Sequence, residues 1–226
     1  MTISLALVVR NEVTGCRIDL PNLPLAHFDE VYAIDGGSTD GTVEFLEAAG
    51  ILVYRQPKPS LNYAYHHAVE KSKCDATVAF FPKGTIPPEQ LLNFRPLLES
   101  GNGLVVASRM IQGAHNEEDD RIIRPRKWGV LALSLICSIL WRREGNRIYD
   151  VLHGVKGFQN VAFCSMQVSE IGVTVDLEMV VRAYRKRIPR CEFPVTETAR
   201  SHGASNFPIF RTGKKLIRFL IHEIRY

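Results

Sequence analysis

Cysteine is sparse and scattered in this chain. Cys16, Cys74, Cys137, Cys164 and Cys191 stand singly, with no Cys-x-x-Cys pair and an odd total of five. That pattern argues against a disulfide framework and a cysteine-ligated zinc site, and it fits a reducing cytoplasm. Long apolar runs are missing as well. The longest, "WGVLALSLICSILW", covers 14 residues from Trp128 to Trp141, short of the ~20 needed to span a bilayer. The opening "MTISLALVVRNE" lacks a basic leader and a small-residue cleavage site, so it reads as a strand of the mature protein. No G-x-G-x-x-G follows a strand and no G-x-x-x-x-G-K-[ST] occurs, which disfavours a dinucleotide-binding domain and a P-loop. A serine elbow, a His–Glu metalloprotease pair, internal repeats and low-complexity tracts are also absent.

A large excess of either charge is missing, with 28 Lys and Arg against 24 Asp and Glu. The net charge of +4 is too small to argue for nucleic acid. Its distribution says more. Glu117-Glu118-Asp119-Asp120 runs directly into Arg121, Arg124, Arg126 and Lys127, and the last segment carries Arg211, Lys214, Lys215, Arg218 and Arg225. Such runs form either a solvated face or a surface for an anionic partner, a phosphate or a membrane.

What is present is an ordinary globular balance, 46% apolar and 23% charged over 226 residues. One domain over 1–226 is expected. In the first half, β-rich runs at 3–9, 30–35, 51–55, 76–81 and 103–109 alternate with helical stretches. Asp40 suits the N-cap of a helix over 41–50 that Gly50 closes. A second helix is expected over 61–72. Pro87 and Pro88 open a third, "PEQLLNFRPLLES". Alternation at this spacing implies βαβ units and a mainly parallel, Rossmann-like α/β sheet flanked by helices. In such sheets ligands bind beyond the carboxyl ends of the strands. The candidates there are Arg10-Asn11-Glu12, Asp35 to Thr42, Phe81 to Gly84, and Ser108-Arg109.

The second half is less regular. Residues 126–142 read as a strongly apolar helix, 150–163 as a loop entering a strand, and 189–197 as a short edge strand. A helix over 175–188 puts Leu177, Val180, Val181 and Tyr184 on one face. A C-terminal amphipathic helix over 213–226 has Leu216, Ile217, Leu220, Ile221 and Ile224 on its apolar side. Each apolar helix either packs on the domain or lies at a membrane interface. Asp35 can accept hydrogen bonds from a base or ribose, or simply form a turn. Asp40 either caps its helix or holds the turn around a base. Gly36 and Gly37 let the backbone approach a flat ligand. Asn11 and Glu12 can bound a ribose or belong to a solvated loop. Arg109, ending an apolar strand, needs an anion: a phosphate or a structural carboxylate. Asp176 and Glu178 near a helix start can complement the helix dipole.

At "IDGGSTDGT", residues 34–42, the chain resembles the inverting family 2 glycosyltransferases with the GT-A fold. The likeness is nearest to the dolichol-phosphate mannosyltransferase and polyprenyl-phosphate glycosyltransferase branch. "VVRNE", "VVASRM", "DVLHGVKGF", "VDLEMVVRAYRKRIPRCEFPV" and "RSHGASNF" follow the family's order over nearly the whole chain. The resemblance implies a nucleotide-binding half over 1–110 and an acceptor-binding half over 111–226. It implies a nucleoside diphosphate sugar held by Arg10, Asn11, Glu12, Asp35, Gly36, Gly37 and Asp40, with Arg200 and Ser205 in a loop that closes over the diphosphate. Gly36 stands where many relatives carry an aspartate. On the acceptor side the resemblance implies Arg124, Arg126, Asp150, Gly154 and Glu178, with Asp176 as base or orienting carboxylate. The acceptor would be a polyprenyl phosphate or a glycan, at the cytoplasmic face of a membrane that the protein touches peripherally.

One stretch departs from the family. In relatives the fourth strand ends in Asp-x-Asp, which holds a divalent ion. Counting back from Pro87-Pro88-Glu89, those positions are Phe81 and Lys83 in "FFPKGTIPPE". No metal or other cofactor is therefore expected, although Mg²⁺ or Mn²⁺ is usual in the family. Lys83 either takes over the metal's charge, with help from Arg200 or Arg109, or is a solvent-exposed loop lysine. The alternative to an active enzyme is a sugar-nucleotide-binding relative that has lost catalysis.

Overall fold

The computed structural model describes residues 1–120, 122–199 and 209–225. In chain order its elements are β1 (Ile3–Val9), α1 (Val13–Asp19), β2 (Glu30–Asp35), α2 (Thr42–Ala48), β3 (Leu52–Arg55), α3 (Leu61–Lys71), β4 (Ala76–Phe80), α4 (Phe94–Glu99), β5 (Leu104–Ser108), α5 (Pro125–Trp141), β6 (Lys156–Gln159), α6 (Asn160–Met166), α7 (Val175–Arg185), β7 (Arg190–Pro194) and α8 (Ile209–Arg225). The strands form one seven-stranded sheet in the order β3-β2-β1-β4-β6-β5-β7. Every pairing is parallel except those of β6, which runs antiparallel to both β4 and β5.

Side-chain alternation along the strands builds a core on each face. On one face Leu5 and Leu7 meet Cys16 of α1, Leu46 of α2, and Phe94 and Leu98 of α4. On the other, Ala6 and Val8 meet Tyr65 and Ala68 of α3, with α5, α6, α7 and α8 completing the layer. Because helices cover both faces, β1 is buried along its whole length, the pattern expected of a central parallel strand. Its one polar side chain, Ser4, is bonded to Ser72 and Thr77.

Four stretches differ from the sequence expectation. Residues 88–100 are not one α-helix: Pro88–Asn93 is a 3-10 helix and only Phe94–Glu99 is α-helical. Pro96 falls in the first turn of α4, where a missing N–H goes unused, whereas in one helix from 88 it would stand mid-helix with no N–H to bond the Leu92 carbonyl. The strand entered by 150–163 ends at Gln159, and 160–166 form α6. Val13–Asp19 forms a short helix that no clear apolar period announces. The C-terminal helix begins earlier than expected, at Ile209.

Candidate functional site

The carboxyl ends of β1, β2 and β4 converge on a groove. Backbone turns there are fixed by short polar side chains. Asp35 accepts from the N–H groups of Gly37 and Ser38, so it forms the turn that carries the glycines. Gly37 takes φ +90, the left-handed region in which a side chain is strained. Asn11, itself at φ 54, clamps this turn to β1 by accepting from Thr39 N–H, while its own N–H donates to Ser38. Asp40 accepts from the N–H of Val13 and of Thr42, the first residues of α1 and α2. Gly41 occupies the N-cap position of α2, so Asp40 acts from one residue further out and joins two helix N-termini. Burial would raise its carboxyl, but the Thr42 hydroxyl and these N–H groups hold it below the usual range.

Two adjoining cavities open on this groove. The smaller, roughly 190 Å³, is lined by Arg10, Glu12, Gly36, Gln56, Ser60 and Leu61 among others. The larger, roughly 240 Å³, is lined by Thr85, Arg109, His153, Gly154, Asp176 and Glu197 among others. Leu61, Phe81, Lys83 and Val173 belong to both and form their common wall. Lys83 Nζ lies 4.8 Å from the Phe81 ring centroid, a cation–π distance. The loop that carries it is pinned to α1: Gly84 N–H donates to Asp19 Oδ2 at 2.8 Å. Gly15 approaches so closely that a Cβ there would stand 2.2 Å from the Pro82 carbonyl oxygen.

Arg109 lies at the floor of the larger cavity, and its anion is protein. Its guanidinium donates twice to Asp150, at 2.7 and 3.0 Å, and once to Glu197 at 2.7 Å. Of the two anions open to Arg109, a phosphate or a structural carboxylate, it is carboxylates that pair with it. One positive charge against two negative ones is no anion trap. Burial would lower Arg109, but Asp150 and Glu197 hold it well above its ordinary range. Burial would raise Asp150, but Arg109 holds it well below. His153 stands beside them. Burial, then the Arg109 charge, pushes it down to about 4, so it is neutral.

Other expected acceptor residues are also committed elsewhere. Arg124 and Arg126 pair with Asp119 and Glu117 and line neither cavity. Nearby acidic side chains attract them more cheaply than a distant pocket could. Glu178 is buried and accepts from Asn62, Ser169 and Thr174, so it ties α7 to α3 and to the loop before it. Asp150 holds Arg109 and does not line the cavity. Gly154 does line it, and Asp176 faces it from the first turn of α7. Arg200 and Ser205 lie outside the described residues.

The sequence reading missed Tyr65, Lys156 and Glu197. Lys156 is 0% exposed and donates to Asp176 Oδ1 at 2.8 Å. The available signal was a lysine inside an apolar strand, a type almost never fully buried unless paired. Among the described residues no three His, Cys, Asp or Glu side chains converge to hold a metal ion, and β4 runs on into Phe81, Pro82 and Lys83. These side chains do not fit a divalent ion as ligands.

A mostly parallel sheet with a two-part cavity at its strand ends and a helix-borne carboxylate beside it is an α/β architecture of the kind that takes ligands at the carboxyl ends of its strands. Residues 25–166 match the family described as glycosyl transferase family 2, and the chain belongs to that family. It is 27% identical over 192 residues to glycosyltransferase AglJ of Haloferax volcanii, covering 82% of this chain and 60% of that one. It is 25% identical over 199 residues to the low-salt glycan biosynthesis hexosyltransferase Agl6 of the same organism, covering 86% and 46%. The chain thus spans only about half to three-fifths of the length of these relatives. Among solved structures it is similar to glucosyl-3-phosphoglycerate synthase from Mycobacterium tuberculosis in complex with Mn²⁺, UDP-glucose and phosphoglyceric acid. That match has a TM-score of 0.73 at 19% identity and covers 99% of this chain and 79% of the other. The complex of the same enzyme with Mg²⁺ and UDP gives a TM-score of 0.68 at 17% identity, over 98% and 78%. The shared architecture is the GT-A fold.

Proposed function

We propose that this chain moves a sugar, with inversion, from a nucleoside diphosphate sugar to a polyprenyl phosphate or a glycan, and that Lys83 carries the positive charge a divalent ion supplies elsewhere. The observation that supports this best is the position of Lys83 on the wall common to both cavities. The smaller cavity suits the nucleoside and the larger suits the sugar and acceptor. Their junction is where the diphosphate leaving group develops charge. An ammonium aimed at those oxygens stabilises that charge, with three donors and less charge than a divalent ion. Arg10, Glu12 and Gly36 would border the nucleoside, Asn11, Asp35, Gly37 and Asp40 would hold its turn, and Arg200 and Ser205 would close over the diphosphate. Gly154 and Asp176 would face the acceptor. The donor half is 1–110 and the acceptor half 111–226.

A thermal-shift series with UDP-, GDP- and dTDP-sugars, with and without Mn²⁺, tests the reading, since a selective ligand raises the midpoint by mass action. A shift with one donor that ignores metal, together with release of the nucleoside diphosphate, is expected. A shift without any turnover would favour a binding-only protein. Turnover that collapses in EDTA and returns with Mn²⁺ would remove the role given to Lys83.

Peripheral contact with a membrane is part of the same reading. No helix among the described residues is long and apolar enough to cross one. The outer side of α5 exposes Trp128, Leu135, Ile136, Ile139 and Leu140, and that of α8 exposes Ile217, Ile221 and Ile224. Leu140 and Ile224 share a surface recess with Arg143, Arg185, Arg187 and Glu223, and Glu223 pairs with Arg185. Apolar side chains interleaved with basic ones suit an anionic lipid interface.

A further inference from the structure

The two oxygens of Asp176 are not equivalent. Oδ1 accepts from Lys156 Nζ at 2.8 Å and from the Tyr65 hydroxyl at 3.2 Å. Tyr65 has a single proton, and the Gly154 carbonyl competes for it at 2.6 Å, so the lysine is the stronger hold. Oδ2 accepts no hydrogen bond among the described residues and is not sealed from the cavity that Asp176 lines.

Lys156 sits on β6 with no exposure at all. Its Nζ donates to the His153 carbonyl as well as to Asp176. Stability is a poor reason for such a residue, because well-packed apolar side chains replace a buried ion pair at little or no cost. What only a cation can do here is keep the neighbouring carboxylate ionised and fix its direction.

We propose that Lys156 is a positioning residue for sugar transfer: it pins Oδ1 of Asp176 and leaves Oδ2 as the base that deprotonates a hydroxyl acceptor. This rests on the glycosyltransferase reading and narrows its acceptor from phosphate or hydroxyl to hydroxyl. A phosphate nucleophile is already anionic and needs no base, and a carboxylate facing it would repel it. The arginines expected to receive a phosphate, Arg109, Arg124 and Arg126, are each paired with carboxylates. In the step itself the acceptor O–H proton passes to Oδ2. The acceptor oxygen forms a bond to the anomeric carbon. The bond from that carbon to the phosphate oxygen breaks on the opposite face, and its electron pair leaves with the nucleoside diphosphate.

The electrostatics agree in direction. Burial raises the Asp176 carboxyl, and Lys156 and Tyr65 oppose that rise while Asp150 adds to it. Lys83, Arg109, His153 and Glu197 face the same cavity. Removing the lysine therefore leaves a carboxyl that ionises at higher pH.

The test uses the full chain with UDP-glucose and GDP-mannose as donors. Octyl glucoside serves as hydroxyl acceptor and undecaprenyl phosphate as phosphate acceptor, and released nucleoside diphosphate is read across pH. Lys156→Met should lower kcat about 10- to 100-fold with donor KM nearly unchanged, and move the acid limb of the profile up by about one pH unit. Lys156→Arg should recover part of both, and Tyr65→Phe should shift the limb less. Carbon-13 NMR titration of the Asp176 carboxyl, assigned with Asp176→Asn, gives the same comparison without substrate, and Tyr65→Phe supplies it if Lys156→Met does not fold. An unmoved limb and an unmoved carboxyl titration, or transfer to undecaprenyl phosphate alone, would overturn the proposal. An Asp176→Asn variant with full activity would instead remove the base, and a wild-type chain that neither binds nor uses any donor would remove the transferase reading itself.

Discussion

The ring of Phe81 occupies the space beside Gly154: a Cβ at position 154 would stand 2.7 Å from Phe81 Cε2. The residue that follows β4 and the residue two positions before β6 are thus fitted to each other across the antiparallel pair. Gly154→Ala should overpack this contact and destabilise the chain by about 1–3 kcal/mol. Adding Phe81→Leu should recover part of that loss. A double-mutant cycle in urea would measure the coupling, which should exceed about 0.5 kcal/mol for residues in contact.

Gly15→Ala tests how the Lys83 loop is held. The new methyl would meet the Pro82 carbonyl at 2.2 Å, so the loop must move away from α1. The donor-induced rise in melting temperature should shrink more than the ligand-free melting temperature falls. Asp19→Asn, which weakens the bond to Gly84 N–H, should act in the same direction and less strongly.

Lys83→Ala should lower turnover by about 10²–10³-fold, the effect of removing one charge-stabilising donor from a transition state. Lys83→Arg should keep more activity than Lys83→Ala, since it keeps the charge. Steady-state assays with and without EDTA check both. Wild-type turnover that is unaffected by the chelator is the companion result.

Stability should depend on pH through His153. In the folded chain its pKa is pushed down to about 4 from 6.5. Between those values the unfolded chain binds a proton that the folded chain refuses. His153 should therefore cost stability as pH drops from 6.5 to 4, by roughly 3 kcal/mol, while Asp176 and Glu192, whose carboxyls burial raises, act in the opposite direction. Asp150 and Glu197 are held low by Arg109, so their contribution is lost only at still lower pH. Urea melts of wild type and His153→Asn over this range check it, and the variant should lack this cost in that window.

Membrane contact predicts co-sedimentation with phosphatidylglycerol vesicles and none with phosphatidylcholine alone. Ile139→Asp and Ile221→Asp should each reduce binding with little effect on melting temperature, because both side chains are exposed, at 67% and 46%. Binding that is indifferent to both substitutions would count against this face.

Much of the groove at the ends of β1 and β2 was legible in the chain. The buried run of β1 follows from a stretch with no polar period, and the glycine-rich turn after β2 carries its own aspartates. Those features depend on residues close in sequence. Asp35 bonds two and three positions ahead. The apolar helices were legible only as alternatives: α5 buries Val130, Ser134 and Cys137 while exposing Leu135 and Ile139. Helical period fixes which residues share a side, and packing decides which side is covered.

The larger cavity was not legible in this way, because ion pairs there close over long separations. Arg109 meets Asp150 and Glu197 at 41 and 88 residues' distance, and Lys156 meets Asp176 at 20. A sequence names the charged side chains at strand ends, since turns and caps are local. Which charges neutralise each other, and which carboxylate oxygen is left facing the cavity, depends on contacts that exist only once β6 has inserted between β4 and β5.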